Sequence, residues 1–371
     1  MDRRLVLLVG CVLVATAASI SKAADDEGVA GLPSVDQAAV VSGEPSAPIG
    51  DVLGRCGACC PQWPEYLVFD ALFLQRNNAT TERPLAEGSS ASPNPGVTLL
   101  GTGDLQAPVA PGTRVLYGRR VDDSVGWEVG YLGVWSMWAD AGVRGPNQVE
   151  IPGAIAGGVP GWQTADSVQA TYASSLNIVE ANVFHYRCFE GCGQDGCTRF
   201  CRCCDVLCGA FWAGLEEAAS LNVTCCQGDP PSPYRVQTSS NLVGAQLGLR
   251  RRRDWDRWAV EGTAKAGLAG TILSQSSGPI TSTLAPGQIF RDPTNATAGG
   301  VGLLSMMNVS AIYRLTDHWG LRAGYNLIWL DGVALAPDQW DFTNTPASGT
   351  SLVGGGSLFL HGANLGVERR W

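Results

Sequence analysis

Charged residues are scarce in this 371-residue sequence. Asp, Glu, Lys and Arg make up 16% of it, and lysine occurs only at Lys22 and Lys265. About a quarter of a typical soluble protein is charged. The formal net charge is −9, whereas a nucleic-acid-binding surface is basic. The composition therefore argues against nucleic acid as a partner and is unusual for a water-soluble domain.

Long apolar runs are missing after residue 24, because every candidate is interrupted by Asn, Arg, Glu or Gly-Gly. We therefore expect no membrane-spanning helix in that part of the chain. A chain without such a helix can cross a bilayer only as a closed β-barrel, in which every backbone group finds a partner.

The first 23 residues have the pattern of a secretion signal. Arg3 and Arg4 precede the apolar stretch Leu5–Ala18, which is too short to span a membrane. Small residues before the junction predict cleavage between Ala23 and Ala24. An alternative is a lipoprotein box ending at Cys11, although the apolar run before it is very short.

The mature chain divides into two predicted regions. Residues 24–61 are rich in Ala, Gly, Pro, Ser and Asp without a clear period, which indicates a disordered periplasmic tether. Residues 62–371 show period-two alternation, which is typical of β-strands. The clearest case runs from Trp319 to Trp329, and its eleven residues exceed the usual five or six of a soluble strand.

We predict an all-β fold: a transmembrane antiparallel up-and-down β-barrel of about ten strands, with 8–12 possible. Long Gly/Pro/Ser/Thr-rich links alternate with short ones, as outer loops and periplasmic turns do in such barrels. The exception is the long cysteine-rich insertion at 187–208. The predicted strands are 62–76, 113–121, 124–139, 168–186, 208–223, 237–250, 256–273, 300–316, 319–332 and 357–371.

Strand parity predicts which side chains face lipid, because neighbours on a strand point to opposite faces and charge is costly on the lipid side. The residues expected to face hydrocarbon are Leu247, Ala264, Val309, Leu321 and Leu327. Those expected to face the lumen are Gln246, Glu261, Lys265, Arg314 and Arg322. Three apolar residues are also expected to fill the lumen: Trp138, Trp212 and Leu242.

The chain ends within a predicted strand, and its last residue is the aromatic Trp371. A terminal aromatic on an alternating strand resembles the signal that the barrel-assembly machinery reads. Arg369 departs from that pattern, but a long arginine near the rim can extend its charge to water.

The cysteines form three groups in the mature chain. Thirteen occur in all, and Cys11 lies in the signal, which leaves an even number. In an exported protein an even number favours disulfides, while a metal or iron–sulfur site is the alternative. We favour disulfides without a metal, because the spacings match no strong zinc pattern. The candidates are Cys56, Cys59, Cys60, Cys188, Cys192, Cys197, Cys201, Cys203, Cys204, Cys208, Cys225 and Cys226.

Histidine is scarce as well, occurring only at His185, His318 and His361. A barrel that cleaves peptides or lipids needs a histidine beside a serine or carboxylate at one rim, and no such set is evident. The adjacent carboxylates of Glu216 and Glu217 would face opposite sides of a strand. We therefore predict no enzymatic activity and no cofactor.

Several motifs in the second half carry a family resemblance. They are Asn241–Leu249, Lys265–Leu268, Tyr313–Trp319, Arg322–Leu330 and Val333–Gln339. Together they resemble the β-barrel porin family of planctomycete bacteria, over roughly 62–371 and most strongly over 205–371. The resemblance implies a barrel in the bacterial outer membrane and supplies no ligand or reaction.

Two functions from different classes follow. The first is a porin-like or narrow passive channel; the second is a structural envelope barrel with a plugged lumen. A ten-stranded barrel is narrow, since open aqueous channels are typical at about 16–18 strands. A barrel hydrolase is a distant third. The partners expected are outer-membrane lipid and the barrel-assembly machinery.

Overall fold

The computed structural model describes residues 64–77, 82–122, 124–192, 199–226 and 229–371, with the backbone alone over 187–192 and 199–203. The predicted signal peptide, its cleavage site at Ala23 and Ala24, and the tether lie outside the described residues. Cys56, Cys59, Cys60 and Cys197 do as well.

Ten long strands form the body of the protein. In chain order they are β1 (Glu65–Asn77), β2 (Ala110–Arg120), β3 (Val125–Glu150), β4 (Ala165–Cys192), β5 (Arg199–Thr224), β6 (Ser232–Asp254), β7 (Trp258–Ser277), β8 (Thr294–Arg314), β9 (Trp319–Val333) and β10 (Gly356–Arg370).

Each strand pairs antiparallel with the next one along the chain, and β10 pairs with β1 to close the sheet. At the closure Phe69 lies opposite Val367, and Ala323 of β9 lies opposite Leu365 of β10. The fold is thus a closed, ten-stranded, up-and-down antiparallel barrel, which confirms the predicted fold class.

Connections differ in length at the two ends of the barrel. Short links at 121–124, 255–257 and 315–318 join strands at what we call the turn end, where the barrel's first and last strands also begin and end. Links at 78–109, 151–164, 225–231, 278–293 and 334–355 lie at the opposite, loop end. At the turn end, pairing of β4 with β5 continues to Cys192 and Arg199, so much of the cysteine-rich insertion is strand.

The wall of the barrel is uneven in height. Strands β3 to β8 contain 20 to 28 residues each, whereas β9, β10, β1 and β2 contain 11 to 15. We call the side formed by β3 to β8 the tall wall. The sequence prediction shortened these strands. On β4 and β5 it left out most of the cysteine-rich turn end, and on β3 it left out the loop end after residue 139, which contains Gly, Pro and Asn.

The long links carry small elements of their own. Strands Pro84–Gly88 and Thr98–Gly101 pair with each other, and the first also pairs with β3. Strands Ile280–Ser282 and Ala285–Arg291 form a second, separate pair. With a helical turn at Ile155–Gly158, these links surround an apolar cluster that includes Ile151, Trp162 and Tyr234. We call this region the cap.

A β-bulge in β3 changes which alternate residues of the strand face inward. The register with β4 shifts between Val134 and Met137, and Ser136 has a φ of 58°, unusual for a residue other than glycine. Val134 and Met137 therefore both face inward, and Trp138 is 51% exposed on the outer face. The expectation that Trp138 fills the lumen was wrong, because a bulge is invisible to simple alternation.

Trp212 was also assigned to the wrong face. It is 38% exposed on the outside of β5, whereas its neighbours Phe211 and Ala213 are buried inside. Apolar residues occupy both faces of the strand at this height, so alternation alone could not separate them. Leu242 is fully buried in the lumen, as expected.

Within the described residues, no helix has the length and apolar character needed to cross a bilayer.

Candidate functional site: a filled lumen

The turn-end half of the lumen contains a network of ionised side chains. Glu368 lies at its centre: its carboxylate accepts hydrogen bonds from Arg252 at 3.1 Å and Arg322 at 2.8 Å. Arg370 donates to the same carboxylate from 3.1 Å. Arg252 and Arg322 each also bond Glu261, at 3.2 and 3.0 Å. Alternating charges on β6, β7, β9 and β10 therefore link strands across the interior.

The network continues on the opposite wall. Arg114 of β2 pairs with Asp70 of β1, with Nε 2.9 Å from Oδ2. Arg250 pairs with Glu128, whose Oε2 also accepts a 2.6 Å hydrogen bond from Tyr66. We call this whole set the charged layer; its ionised members are Asp70, Arg114, Glu128, Glu180, Arg250, Arg252, Glu261, Lys265, Arg322, Glu368 and Arg370.

Four of the five residues assigned to the lumen from parity lie in this layer. Glu261, Arg322 and Gln246 are each at most 9% exposed. Lys265 pairs with Glu180, and Gln246 donates to Glu180 at 2.8 Å and to Asn182 at 2.7 Å. Arg314 sits at the turn-end rim instead, where it contacts Asp254 and donates to the backbone oxygen of Asp256 at 3.1 Å.

Little free space remains between these charges. Two cavities in the layer have volumes of about 40 and 80 Å³. A water molecule needs roughly 10–15 Å³ of such volume, so each cavity holds only a few waters. Several buried polar atoms, including Glu128 Oε1 and Arg250 Nε, have no protein partner and are suited to bonding those waters.

Asparagines lie above the charges, toward the loop end. The Asn308 amide donates to Asn326 at 2.9 Å and to Asn364 at 3.2 Å. Glycines make room for the polar side chains. A Cβ on Gly366 would lie 2.1 Å from Oδ1 of Asp70, so the carboxylate can occupy its place only against glycine.

Further toward the loop end, an apolar layer fills the lumen. This layer is the feature that occludes the lumen. All ten strands contribute to it, and its most exposed member, Met306, is only 8% exposed. Residues from opposite sides, such as Leu74 and Leu242, have no exposed surface. Its members are Leu72, Leu74, Ala110, Leu132, Val134, Met137, Leu176, Ile178, Phe211, Ala213, Leu215, Leu242, Ala269, Leu304, Met306, Ile328, Leu330, Val333, Leu335, Leu358 and Leu360.

The link between β9 and β10 folds into the loop-end mouth and rests on this layer. Residues 333–340 are all buried. Leu335 joins the apolar layer itself, and a 3₁₀ turn at Ala336–Gln339 follows. We call residues 334–355 the plug loop.

A buried carboxylate is one of several points that attach the plug loop to the wall. The Ala334 N–H also donates to Ser240 Oγ of β6 at 3.0 Å, and Gln275 of β7 donates to the Gly349 oxygen at 3.3 Å. Glu217 of β5 accepts hydrogen bonds from Arg76 of β1 at 2.6 Å and from the backbone N–H of Ala336 at 2.8 Å. Tyr172 and Ser174 donate to it as well, at 2.5 and 3.2 Å. Glu216 points outward, as parity required, so sequence reasoning correctly separated the two carboxylates but missed the role of Glu217.

Further along, the plug loop is tied to the cap. Tyr234 hydroxyl accepts from the Asp341 N–H at 3.0 Å and from Arg291 at 3.2 Å, and burial raises its pKa. Partial burial raises the pKa of Asp341, but hydrogen bonds from Thr343 and the Gly349 N–H outweigh it and hold that pKa below its ordinary value.

The outer face has the opposite character. Leu247, Val309 and Leu321 are 50%, 58% and 46% exposed. Ala264 is also exposed on this face, and Leu327 is half-buried. Aromatic side chains lie at both ends of the apolar band: Trp258, Trp319 and Trp371 toward the turn end, and Trp135, Trp212 and Trp329 toward the loop end.

The described cysteines are Cys204, Cys208, Cys225 and Cys226, and all four are unpaired thiols. The side chains of Cys188, Cys192, Cys197, Cys201 and Cys203 lie outside the described set, so disulfides in this cluster remain a prediction. No group of three or more metal-binding side chains occurs among the residues whose side chains are described.

Two of the histidines contact a tyrosine hydroxyl and a backbone oxygen. His361 contacts the Tyr325 hydroxyl at 2.7 Å on the outer face, and His318 contacts the backbone oxygen of Arg370 at 2.9 Å in a turn. Neither contact is a nucleophile–base pair.

Comparison with known proteins gives distant likenesses in fold only. No protein-family profile and no curated protein sequence matches the chain. Among solved structures, a Pseudomonas aeruginosa FadL homologue is 10% identical, with 82% of this chain and 89% of that chain covered and a TM-score of 0.23.

Two further structures are similarly distant. The Pseudomonas putida toluene transporter TodX is 11% identical, with coverage of 84% and 90% and a TM-score of 0.22. OmpT, an outer membrane protein of Vibrio cholerae, is 10% identical, with coverage of 83% and 99% and a TM-score of 0.15. Values this low carry no ligand or activity to this chain.

Proposed function

We propose that this protein is a structural barrel of the bacterial outer membrane, exported by its signal peptide and closed to solutes in its resting conformation. The observation that carries the closed state is the apolar layer, to which every strand contributes a buried side chain. Water and ions do not cross such a layer, because a packed apolar core offers them no partners.

The membrane location is supported by the inversion of the two faces. Exposed Leu and Val cover the outside at mid-height with Trp at both ends of that band, while paired charges lie within. Soluble barrels have the reverse arrangement, and outer-membrane barrels carry an apolar band between aromatic girdles. Membership of the planctomycete barrel family and contact with the assembly machinery through Trp371 belong to the same proposal, as does the absence of enzymatic activity.

A narrow channel with the plug loop as its gate is the second candidate. It is favoured by the polar attachments of the plug loop, at Glu217 and Ser240 among others, since separate hydrogen bonds are easier to release than a continuous apolar contact. A permanently open porin has no comparable support, because the apolar layer lies across its path.

Conductance of the purified protein in planar bilayers separates these functions. The structural barrel gives no steady current at moderate voltage, and neither does the folded Glu217→Gln variant. A gated channel gives current in Glu217→Gln but not in the matched Glu216→Gln variant, whose side chain faces outward. A steady current through the wild-type protein would overturn the closed state.

A further inference from the structure

Two adjacent cysteines lie at the loop end of the barrel, apart from the other cysteines that the structure describes. Cys225 and Cys226 directly follow Thr224, the last residue of β5, and their sulfur atoms are 3.2 Å apart. Cys226 is exposed and Cys225 is partly buried. At 3.2 Å the two sulfur atoms are already in contact.

The cysteine cluster of the β4–β5 hairpin lies at the other end. Cys208, the member nearest along β5, precedes Cys225 by 17 residues, which is roughly 56 Å at about 3.3 Å per residue. Cys188 lies opposite Cys203, and Cys192 opposite Arg199, at the same turn end. A disulfide cannot bridge Cα atoms more than about 7 Å apart without backbone movement, so no member of this cluster can reach Cys225.

Chain length excludes the N-terminal cysteines as well. Cys56, the furthest of them, precedes Glu65 by nine residues, which span at most ~32 Å when fully extended. Glu65 is at the turn end, level with the short links. From there the β5 strand rises by about 19 residues to Cys225, roughly 48 Å at a tilt of about 40°.

We propose that Cys225 and Cys226 are joined to each other as a vicinal disulfide in the exported protein. This inference rests on the proposed export, because an oxidising compartment is what makes disulfides persist. Within one chain, each of the two has only the other as an accessible partner.

The pair can be oxidised by thiol–disulfide exchange with a thiol oxidoreductase that carries a disulfide. The Cys226 thiolate attacks one sulfur of that disulfide, and the other oxidoreductase sulfur leaves as a thiolate. Cys225 then loses its proton and attacks the Cys226 sulfur, releasing the second oxidoreductase thiolate. The two protein thiols lose two protons and two electrons, and the oxidoreductase disulfide becomes a dithiol.

Exposure sets the order of attack. Burial and the neighbouring thiol raise the pKa of Cys225 to about 11, so exposed Cys226 is the better first nucleophile. The product also has a place in the cap. A Cβ on Gly161 would lie 2.7 Å from Cys225 Cβ and 3.2 Å from Leu284, so the pair sits where three links meet.

Mass spectrometry without reductant tests the proposal directly. The purified, full-length protein is treated with iodoacetamide, digested and analysed before and after reduction. We expect the peptide containing Cys225 and Cys226 to be unalkylated and lighter by two hydrogen atoms, and to take up two alkyl groups only after reduction.

Two results would overturn it. One is alkylation of both cysteines without reductant; the other is a cross-linked peptide that joins either cysteine to a different one. If Cys225 and Cys226 are reduced while the 188–208 cluster is oxidised, the proposed vicinal disulfide is wrong, but the proposed export is unaffected. If every cysteine is reduced, the proposed export fails with it.

Single substitutions provide a second measurement. Cys225→Ser leaves the exposed Cys226 without its partner, so we expect disulfide-linked dimers on non-reducing gels. The double Cys225→Ser/Cys226→Ser variant and the wild type should stay monomeric. Wild-type dimers that the double variant abolishes would show that the pair joins two chains, contrary to the proposal.

Discussion

The charged layer and the apolar layer occupy the same strands and the same inward positions, yet they fill the lumen by different physics. On β1, Asp70 belongs to the first layer, and Leu72 and Leu74 belong to the second. The charged layer is held by directional pairs, each of which requires its partner. The apolar layer is held by contact area and tolerates small changes of shape.

The difference teaches that an inward charge in a barrel need not indicate a water-filled pore. Arg322 is 2% exposed and is satisfied by Glu261 and Glu368. Removing one partner leaves the other as an uncompensated charge in a dry place, so the two layers should respond very differently to single substitutions.

The largest effect is expected from Glu368→Gln. Three arginines surround this carboxylate, and breaking a buried ion pair costs about 3–5 kcal/mol. We expect a large loss of the folded, heat-modifiable form on gels. Glu216→Gln, which alters an outward carboxylate, is the matched control. Adding Arg252→Met to Glu368→Gln should restore part of the loss; equal stability of Glu368→Gln and wild type would contradict the importance of pairing.

A cavity in the apolar layer should have the next largest effect. Leu360 is fully buried, whereas Leu365 on the same strand is 61% exposed on the outer face. Leu360→Ala should lower the free energy of unfolding by about 2–5 kcal/mol, and Leu365→Ala by much less. Urea unfolding in detergent measures both. Equal losses would mean that the layer is not packed as a core.

A charge introduced on the outer face tests where the barrel contacts lipid. Val309 lies at mid-height on β8, where an arginine costs about 2–4 kcal/mol in a membrane, falling to about 0–1 near the interface. Val309→Arg should therefore impair insertion into vesicles more than Leu321→Arg, which lies two residues from the girdle residue Trp319. A larger effect at Leu321 would shift the membrane boundary.

The smallest effect should come from acid. The pKa of Asp341 is held below its ordinary value of 3.8, so its contribution is complete above that value and is lost as pH falls through the lowered pKa. The plug loop should thus become more sensitive to pepsin at the lowest pH. Asp341→Asn should flatten this pH dependence, whereas Asp292→Asn, at an exposed position, should not.

Sequence reasoning predicted the strands best where alternation was uninterrupted. The predicted strand 319–332 differs by one residue from Trp319–Val333, and 357–371 by one at each end from Gly356–Arg370. It failed at the bulge of β3 and at Phe211–Trp212, where the local sequence does not show which residues face inward. The short strands in the cap were missed because their pairing partners are distant in sequence.

The interior was only partly predictable. Parity placed Glu261 and Arg322 on inward positions, but the choice between a wet and a dry lumen depends on which residues meet across the barrel. The contact of Glu217 with Arg76 joins residues 141 positions apart. No spacing rule connects them, and the insertion of the plug loop that brings Ala336 to the same carboxylate has no local signal either.

Because the wall is uneven in height, the barrel has one tall side and one short side at the loop end. Above the Trp212 level, the outer face of the tall wall changes to hydroxyl and carboxylate groups, with Glu216 paired across to Ser175 and Ser239. In the proposed outer-membrane barrel, this hydrophilic part of the sheet extends beyond the apolar band into water, and it does so on one side of the barrel only.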